Sequence, residues 1–380
     1  MLLLTTPTRA STSGPIGAIV IAGGGTGGHV FPGVAIADEI KRRNPSARVA
    51  FIGTERGLEK KLVPQNGHEL FTINVSRLKG GGLWSKVKGL FRLPIAIFQS
   101  WRILRTVKPE VVIGVGGYAS GPALLAAWMT FRKTAIQEQN ATPGLTNRVL
   151  GKLVKRVFAG FPTDRFAKKK LVVTGNPIRH AIAHRLAHSL ENRDNALAEA
   201  TGLRVLVFGG SQGATFLNER VPALLSQLVK ASAGAGVTIT HQTGERDLDA
   251  TRQRYAELGL AASVVPFIDD MASAYAQHDL AICRAGALTL AELTAVGLPS
   301  VLVPFPHAAD NHQEANARVL EQAGAAVVAT QASWDEAALV TRLGGLAKDR
   351  ASLARMGEAA RGLGKAEAVS TIVDHLEVLR

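Results

Sequence analysis

The heptapeptide Gly23-Gly24-Gly25-Thr26-Gly27-Gly28-His29 sets five glycines beside a hydroxyl and an imidazole. Glycine lets backbone turn tightly and approach a bound molecule closely. A neutral imidazole accepts a hydroxyl proton near neutral pH, because its ordinary pKa lies there. His29 is therefore a candidate general base; a structural hydrogen bond at a helix start is the other use for it. Thr26 reads either as a polar contact for a ligand or as a helix cap. The spacing is not a dinucleotide fingerprint, since no acidic residue stands at a compelling distance beyond it, and it lacks the lysine of an NTPase phosphate loop.

A second punctuation, Gly209-Gly210-Ser211-Gln212-Gly213-Ala214, offers backbone amides and the Ser211 hydroxyl before a predicted helix. Such groups suit a diphosphate facing a helix N-terminus, and an ordinary strand-to-helix turn is the plainer reading. The richest stretch runs from Asp279 to Asn316. After Arg284-Ala285-Gly286, the apolar helix Leu288–Val296 carries Glu292, a carboxylate that needs solvent or a partner. The two hydroxyls of a ribose would satisfy it, and so would a salt bridge to Arg284. Pro304 to His307 and Asp310 to Gln313 then supply hydrogen-bonding groups for the hydroxyls of a sugar. Asp247-Leu248-Asp249 has the acidic spacing of metal-dependent sugar transferases, but its polar helical setting reads as a surface helix, and no metal ligands are assigned.

These loops need strands and helices to hold them. The apolar run Ile16 to Ala22 reads as a buried strand, followed by a helix starting near Pro32 with Val34, Ile36, Ala37 and Ile40 on its inner face. Further strands are expected at Arg48–Gly53, Glu110–Val115, Thr134–Gln137 and Arg156–Ala159, with a short helix over Gly57–Val63 ending before Pro64. After Asn176-Pro177, a helix over Ile178 to Glu199 leads to strands at Leu203–Phe208, Gly236–His241, Ser263–Val265, Asp279–Cys283, Ser300–Val303 and Ala325–Ala329. Strands separated by helix-length segments predict parallel α/β connections. The expected division is an acceptor and membrane-facing domain at 1–175, a connection at 176–200, a second domain at 201–355, and a helical segment at 356–380 that crosses back to the first domain.

A chain of 380 residues is long for one core. With 46% hydrophobic and 19% charged residues it is globular, and a lone cysteine, Cys283, excludes an intramolecular disulfide. The opening Leu2-Leu3-Leu4 does not make a convincing signal peptide, and no run long enough to span a membrane is found. The net charge of +14 admits nucleic acid, anionic membrane or phosphorylated substrates as partners. Arg77 to Lys108 holds eight basic residues and no acid, interleaved with large apolar ones. Within it Leu83, Trp84, Val87, Leu90 and Phe91 share one helical face flanked by Lys86, Lys88 and Arg92, which predicts either packing on the chain's own sheet or a patch for anionic lipid. Arg148 to Lys170 holds eight more basic residues against Asp164.

In order along the chain, Gly23 to His29, Gly116-Gly117-Tyr118, Gln139-Asn140 with Asn147, Gly175 to Arg179, Gly209 to Ala214 and Arg284 to Gln313 resemble the MurG family of bacterial N-acetylglucosaminyltransferases. The resemblance covers nearly the whole chain. It implies a GT-B architecture of two Rossmann-like parallel-sheet domains with an interdomain cleft, and inverting transfer of N-acetylglucosamine from UDP-N-acetylglucosamine to the 4-hydroxyl of undecaprenyl-pyrophosphoryl-N-acetylmuramyl-pentapeptide. That is a step of peptidoglycan synthesis, and through it of cell shape and division. His29 and Glu138 become the catalytic candidates, with the base assignment open between them. Thr26, Gly27, Gly28, Tyr118, Asn140 and Asn147 become acceptor contacts. Donor contacts would come from Arg179, Ser211, Gln212, Gly213, Arg284, Ala287, Leu288, Thr289, Glu292, His312 and Gln313, with Thr26, Gly28 and Asn140 shared. The resemblance implies no tightly bound cofactor and leaves indirect stimulation by divalent cations open. It implies a peripheral location on the cytoplasmic face of the inner membrane, with anionic lipids and cell-wall synthesis proteins as partners and no nucleic acid. A UDP-N-acetylglucosamine epimerase and a nucleic-acid-binding module are the competing readings; neither accounts for all of these motifs.

Overall fold

The computed structural model describes residues 14–75, 83–178, 202–210, 212–231 and 236–380, with backbone alone for 83–91. The chain divides into two compact units. The first holds residues up to Glu138, Gly144–Pro177 and Glu367–Arg380; the second holds Gln139–Pro143 and Ile178–Ala366. The expected helix over Ile178 to Glu199 falls almost wholly outside the described residues.

In the first unit the strands are β1 (Ala18–Gly23), β2 (Arg48–Gly53), β3 (Glu69–Thr72), β4 (Val111–Gly116), β5 (Lys133–Glu138), β6 (Arg156–Ala159) and β7 (Leu171–Val173). They form a wholly parallel sheet in the order β3-β2-β1-β4-β5-β6-β7. Side chains of a strand alternate between faces, and β1 divides accordingly. Ile19 and Ile21 enter one core with Val34, Ile36 and Ile40 of the helix Gly27–Arg43, whereas Val20 and Ala22 enter another with Ala96, Leu104, Ala123 and Leu124. Two buried faces explain why these strands read as continuous apolar runs.

The second unit contains β8 (Gly202–Phe208), β9 (Gly236–Gln242), β10 (Ser263–Val265), β11 (Leu280–Cys283), β12 (Ser300–Leu302) and β13 (Ala326–Val328). Their order, β10-β9-β8-β11-β12-β13, is again parallel throughout. Each unit thus has the Rossmann-like winding of a GT-B protein, in which the strand order reverses beside the first strand. In such sheets ligands bind beyond the carboxyl ends at the reversal, here the ends of β1 and β4 and of β8 and β11.

Several expected boundaries shift. The first helix begins at Gly27, more than a turn before Pro32, because the glycines themselves enter the helix. Pro32 lies inside it and simply supplies no amide to the ladder. Pro64 likewise lies within the helix Glu59–Gln65 instead of ending it. β3 escaped the sequence reading because it is four residues long and only partly buried, leaving a weak pattern. The crossing back to the first unit begins at Glu367, not near 356, because Leu353 and Met356 belong to the second unit's core.

The last helix, Ala368–Leu379, completes the first unit. Ile372, Val373 and Leu376 join the core around β1, and Arg43 donates to Asp374 at 2.6 Å, to Glu377 at 3.1 Å and to the Ser370 carbonyl at 3.1 Å. Ile372→Ala should lower the unfolding free energy of the first unit by about 2–5 kcal/mol, through lost burial and a residual cavity. A urea titration monitored on that unit should therefore show an earlier midpoint; an unchanged midpoint would contradict the packing.

Candidate functional site

At the reversal in the first sheet, the loops leaving β1 and β4 lie backbone against backbone. The Gly24 amide donates to the Gly116 carbonyl at 3.2 Å. Gly116 and Gly117 have φ of 92° and 84°, and a Cβ on Gly117 would stand 2.9 Å from the Gly24 nitrogen. Only glycine meets both demands. The His29 ring rests on this contact: a Cβ on Gly116 would lie 2.6 Å from its Cδ2 and 2.9 Å from its Nε2. Gly27, Gly28 and His29 form the first turn of the helix, and the Thr26 hydroxyl stands 3.2 Å from His29 Nδ1. Thr26 occupies the N-cap position but its side chain makes no capping bond, so its hydroxyl serves the imidazole.

Tyr118, in the loop after β4, is 41% exposed and is not a core residue. Glu138 ends β5 and is buried. Its Oε2 accepts from Asn147 Nδ2 at 2.9 Å and from the Gly144 amide at 3.1 Å, and Asn147 also donates to the Gln137 carbonyl at 3.3 Å. A carboxylate fixed in this way orients the segment after β5. Asn140, expected at both the acceptor and the donor, clusters with the second unit. Its Oδ1 accepts from Asn316 Nδ2 at 3.1 Å, while Asn316 Oδ1 accepts from the Ala141 amide at 2.8 Å.

In the second unit Ser211 and Arg179 lie outside the described residues. Gln212 and Gly213 form a turn closed by the Gly213 amide on the Gly210 carbonyl at 2.9 Å. That turn is braced from β9 and the residues after it. Gln242 Nε2 donates to the Gly210 carbonyl at 2.8 Å, and Asp247 Oδ2 accepts from Thr215 at 2.9 Å and from Asn218 at 3.0 Å. Asp247 is thus a brace and not a plain surface residue, whereas Asp249 is 97% exposed at its side chain.

Beyond β11, Gly286 is the extended N-cap of the helix Ala287–Val296, so Ala287, Leu288 and Thr289 occupy its first turn. First-turn amides have no intrahelical acceptors and favour an anion. Arg284 sits beside them, with Nη1 donating to the Val303 and Pro304 carbonyls and to Gln331 Oε1, each at 3.1 Å, and its guanidinium 5.5 Å from the centre of the Phe305 ring. Burial lowers its pKa, yet guanidinium stays charged, so a cation is held by neutral acceptors. The alternative salt bridge to Glu292 is not made. Glu292 Oε2 instead accepts from the fully buried Tyr275 hydroxyl at 2.8 Å. Gln313 Oε1 accepts from the Phe305 amide at 2.9 Å, and His312 Nδ1 faces the Ala309 carbonyl at 2.7 Å. Asp310 and Asn311, with φ of 53° and 51°, turn the chain into the helix His312–Gln322.

The side chains of Leu83, Trp84, Lys86, Val87, Lys88, Leu90 and Phe91 lie outside the description, while Arg92 is exposed. The same helix, Leu83–Val107, goes on to expose Ile95 and Phe98, with Phe98 stacked on Trp101 at 5.4 Å and Arg105 5.0 Å from the Trp101 ring. The helix Ser120–Met129 packs beside it, and that helix and the turn after it expose Trp128, Met129 and Phe131. Exposed apolar side chains in this unit therefore go beyond the residues first singled out. The signal for Ile95 and Phe98 lies in the same acid-free run, whereas Trp128, Met129 and Phe131 stand outside it.

Among the residues that sequence reasoning missed, Tyr275, Asn316 and Glu59 stand out. Tyr275 and Asn316 sit within apolar or helical patterns, and Glu59 opens a short polar helix, so none carries a local motif.

Residues 19–159 match the glycosyltransferase family 28 N-terminal domain and residues 204–375 its C-terminal domain. Over 358 residues the chain is 46% identical to the UDP-N-acetylglucosamine–N-acetylmuramyl-(pentapeptide) pyrophosphoryl-undecaprenol N-acetylglucosamine transferase of Myxococcus xanthus, covering 94% of this chain and 91% of that protein. The crystal structure of MurG from Acinetobacter baumannii is similar with a TM-score of 0.79 at 34% identity, over 95% of this chain and 99% of that one. The UDP-N-acetylglucosamine 2-epimerase of Neisseria meningitidis shares the fold, with a TM-score of 0.63 at 13% identity over 94% and 99%.

The Asp247 brace has a pH signature. The Arg246 guanidinium, then the Thr215 and Asn218 donors, hold its pKa down from 3.8 to about 2. A folded pKa below the unfolded one gives stability that is present above the unfolded value and lost as pH falls through the folded one. Asp247→Asn should therefore lower Tm by a constant amount near neutral pH, and that gap should close as pH falls from about 4 to about 2. A gap independent of pH across that window would rule out the carboxylate as the source.

Proposed function

The chain belongs to the MurG family within glycosyltransferase family 28, and on that premise we propose how it carries out the family reaction. It transfers N-acetylglucosamine from UDP-N-acetylglucosamine to the 4-hydroxyl of undecaprenyl-pyrophosphoryl-N-acetylmuramyl-pentapeptide, releasing UDP. The observation that carries this is 46% identity across nearly the full length to a transferase named for that reaction, against 13% to an epimerase of the same fold.

The muramyl hydroxyl attacks the anomeric carbon of the donor on the face opposite UDP, so the alpha donor yields a beta linkage without a glycosyl-enzyme intermediate. His29 Nε2 takes the hydroxyl proton. Its position supports this role, since Thr26 engages Nδ1 and fixes the ring by its other edge. Glu138 holds the loop after β5 and orients the acceptor, a role supported by the bonds from Gly144 and Asn147 and by its burial. Tyr118 and Asn147 belong to the same acceptor region. In the second unit, Glu292 accepts from the ribose hydroxyls, its carboxylate oriented by Tyr275. First-turn amides at Ala287–Thr289, the Gln212-Gly213 turn and Ser211 stabilise the charge that develops on the leaving diphosphate, with Arg284 beside the helix start and Arg179 as a further cation. His312 and Gln313 meet the sugar. These steps use amides, hydroxyls and arginines, and none is routed through a metal.

The exposed Ile95, Phe98, Trp128, Met129 and Phe131, with Arg92, Arg102 and Arg105, support peripheral attachment to an anionic lipid surface on the cytoplasmic side, where the acceptor lipid would be met. Cell-wall synthesis proteins are natural further partners. No helix among the described residues is long and apolar enough to cross a membrane.

Incubation with UDP-N-acetylglucosamine and a muramyl-pentapeptide lipid should give UDP and a disaccharide lipid by mass analysis; an epimerised nucleotide sugar without transfer would overturn the reading. In the same assay His29→Ala should lower kcat by about 10²–10⁴-fold, the usual worth of a general base, with donor binding little changed. Normal transfer by that variant would remove His29 from the mechanism. Replacing Phe98 and Phe131 together by serine should reduce flotation with anionic vesicles while leaving transfer to a detergent-soluble acceptor intact, and undiminished flotation would remove the membrane role from this surface.

A further inference from the structure

Glu59, the first residue of the helix Glu59–Gln65, is only 1% exposed. Its Oε2 accepts from the Gly25 amide at 2.7 Å, and its Oε1 accepts from the Thr54 amide and the Thr54 hydroxyl, each at 2.8 Å. Among the described residues those three neutral donors are its partners, so this is a buried carboxylate without a cation. The cavity around it is cut to its shape. A Cβ on Gly24 or Gly57 would collide with the carboxylate, and one on Gly53 would stand 2.5 Å from its Cγ. Burying an ion in this way is costly unless its hydrogen bonds are good, and bonds from amide to carboxylate are the strong kind.

The group it holds is the loop that bears His29. Gly24 and Gly25, with φ of 152° and 96°, adopt a backbone that glycine reaches easily and leaves as easily. Such a run cannot keep a side chain in register by its own preferences. Gly116 holds it from one side through the Gly24 amide, and Glu59 holds the next amide from another. Directly after Gly25 comes Thr26, whose hydroxyl faces the imidazole.

We propose that Glu59 is a positioning residue for the transfer reaction: by fixing the Gly25 amide it sets the path of the glycine loop and with it the Thr26-His29 pair. The proposal rests on His29 as general base. Glu59 itself touches neither substrate.

Glu59→Gln keeps the shape but turns one acceptor into an amide donor that faces another donor. It should lower kcat by about 10²-fold, the scale of a small misplacement of a catalytic group, with the KM for UDP-N-acetylglucosamine and UDP binding within about twofold. The acid limb of the kcat profile should move as well, because the environment of the imidazole changes. Thr54→Val, which removes one donor and leaves the charge, should lower kcat less, with the same unchanged donor KM; this variant decides the matter if Glu59→Gln does not fold. Normal kcat and pH profile in a folded Glu59→Gln protein, or a loss of kcat in Thr54→Val matched by an equal loss of donor binding, would overturn the proposal. His29→Ala separates the two ideas. If it transfers normally, the base assignment fails whatever Glu59 does; if it is inactive and Glu59→Gln is normal, only the positioning role fails.

Discussion

The contact on which the first unit's site depends is between two backbones. Parallel winding brings the ends of β1 and β4 side by side, and the loops that leave them touch directly, amide of Gly24 to carbonyl of Gly116. Side chains on Gly116 or Gly117 would force them apart and displace the imidazole resting there. The same approach that makes room for a ligand thereby sets the height of His29 above the sheet. Such a loop has little stiffness of its own, which is why a buried acid beneath it matters.

The second unit brings the Gln212-Gly213 turn against Thr243 and Gly244 in the same way, and adds side-chain braces. Gln242 and Asp247 tie its glycine turn to β9 and the segment after it, and Asn218 links that brace to a buried network. In that network His241 bonds Tyr255 at 2.9 Å and Asn218 at 3.0 Å, and burial pushes the histidine down to about 3 and the tyrosine up. Both therefore stay neutral across ordinary pH, and the support beneath the turn does not titrate with its surroundings. Both units combine close backbone approach at glycine with bonds from buried side chains, on sheets of the same winding.

Much of this was legible in the sequence because period and punctuation carry it. Apolar runs ending in glycine marked β1, β4 and β8, and the strand ends they defined are where His29, Tyr118 and Gln212 stand. Glu292 was noticed because an acid on an apolar helix demands a partner. The partner itself, Tyr275, was not legible, since a tyrosine in an alternating apolar stretch looks like core and is core at its ring. Glu59 was invisible for a related reason: at a helix start an acid is unexceptional, and only the three glycines converging on it from separate places reveal its use. Pro32 and Pro64 misled because a proline was read as a boundary where the helix continues through it. Asn140 was expected at acceptor and donor alike, and its bond from Asn316 was not legible because the two are far apart in sequence.

The last helix belongs to the unit that begins the chain. Ile372, Val373 and Leu376 fill a core shared with β1, β2, β4, β5, β6 and the helices Gly27–Arg43 and Glu59–Gln65. On the ribosome that core stays open while the whole second unit is synthesised, and it closes only once Ala368–Leu379 has been made. The usual order, in which an N-terminal domain finishes before the next is begun, does not hold here. The half-made first unit must meanwhile keep an apolar seam against β1 exposed, so a chain cut short before Glu367 would carry that seam permanently and become a ready substrate for chaperones and proteases.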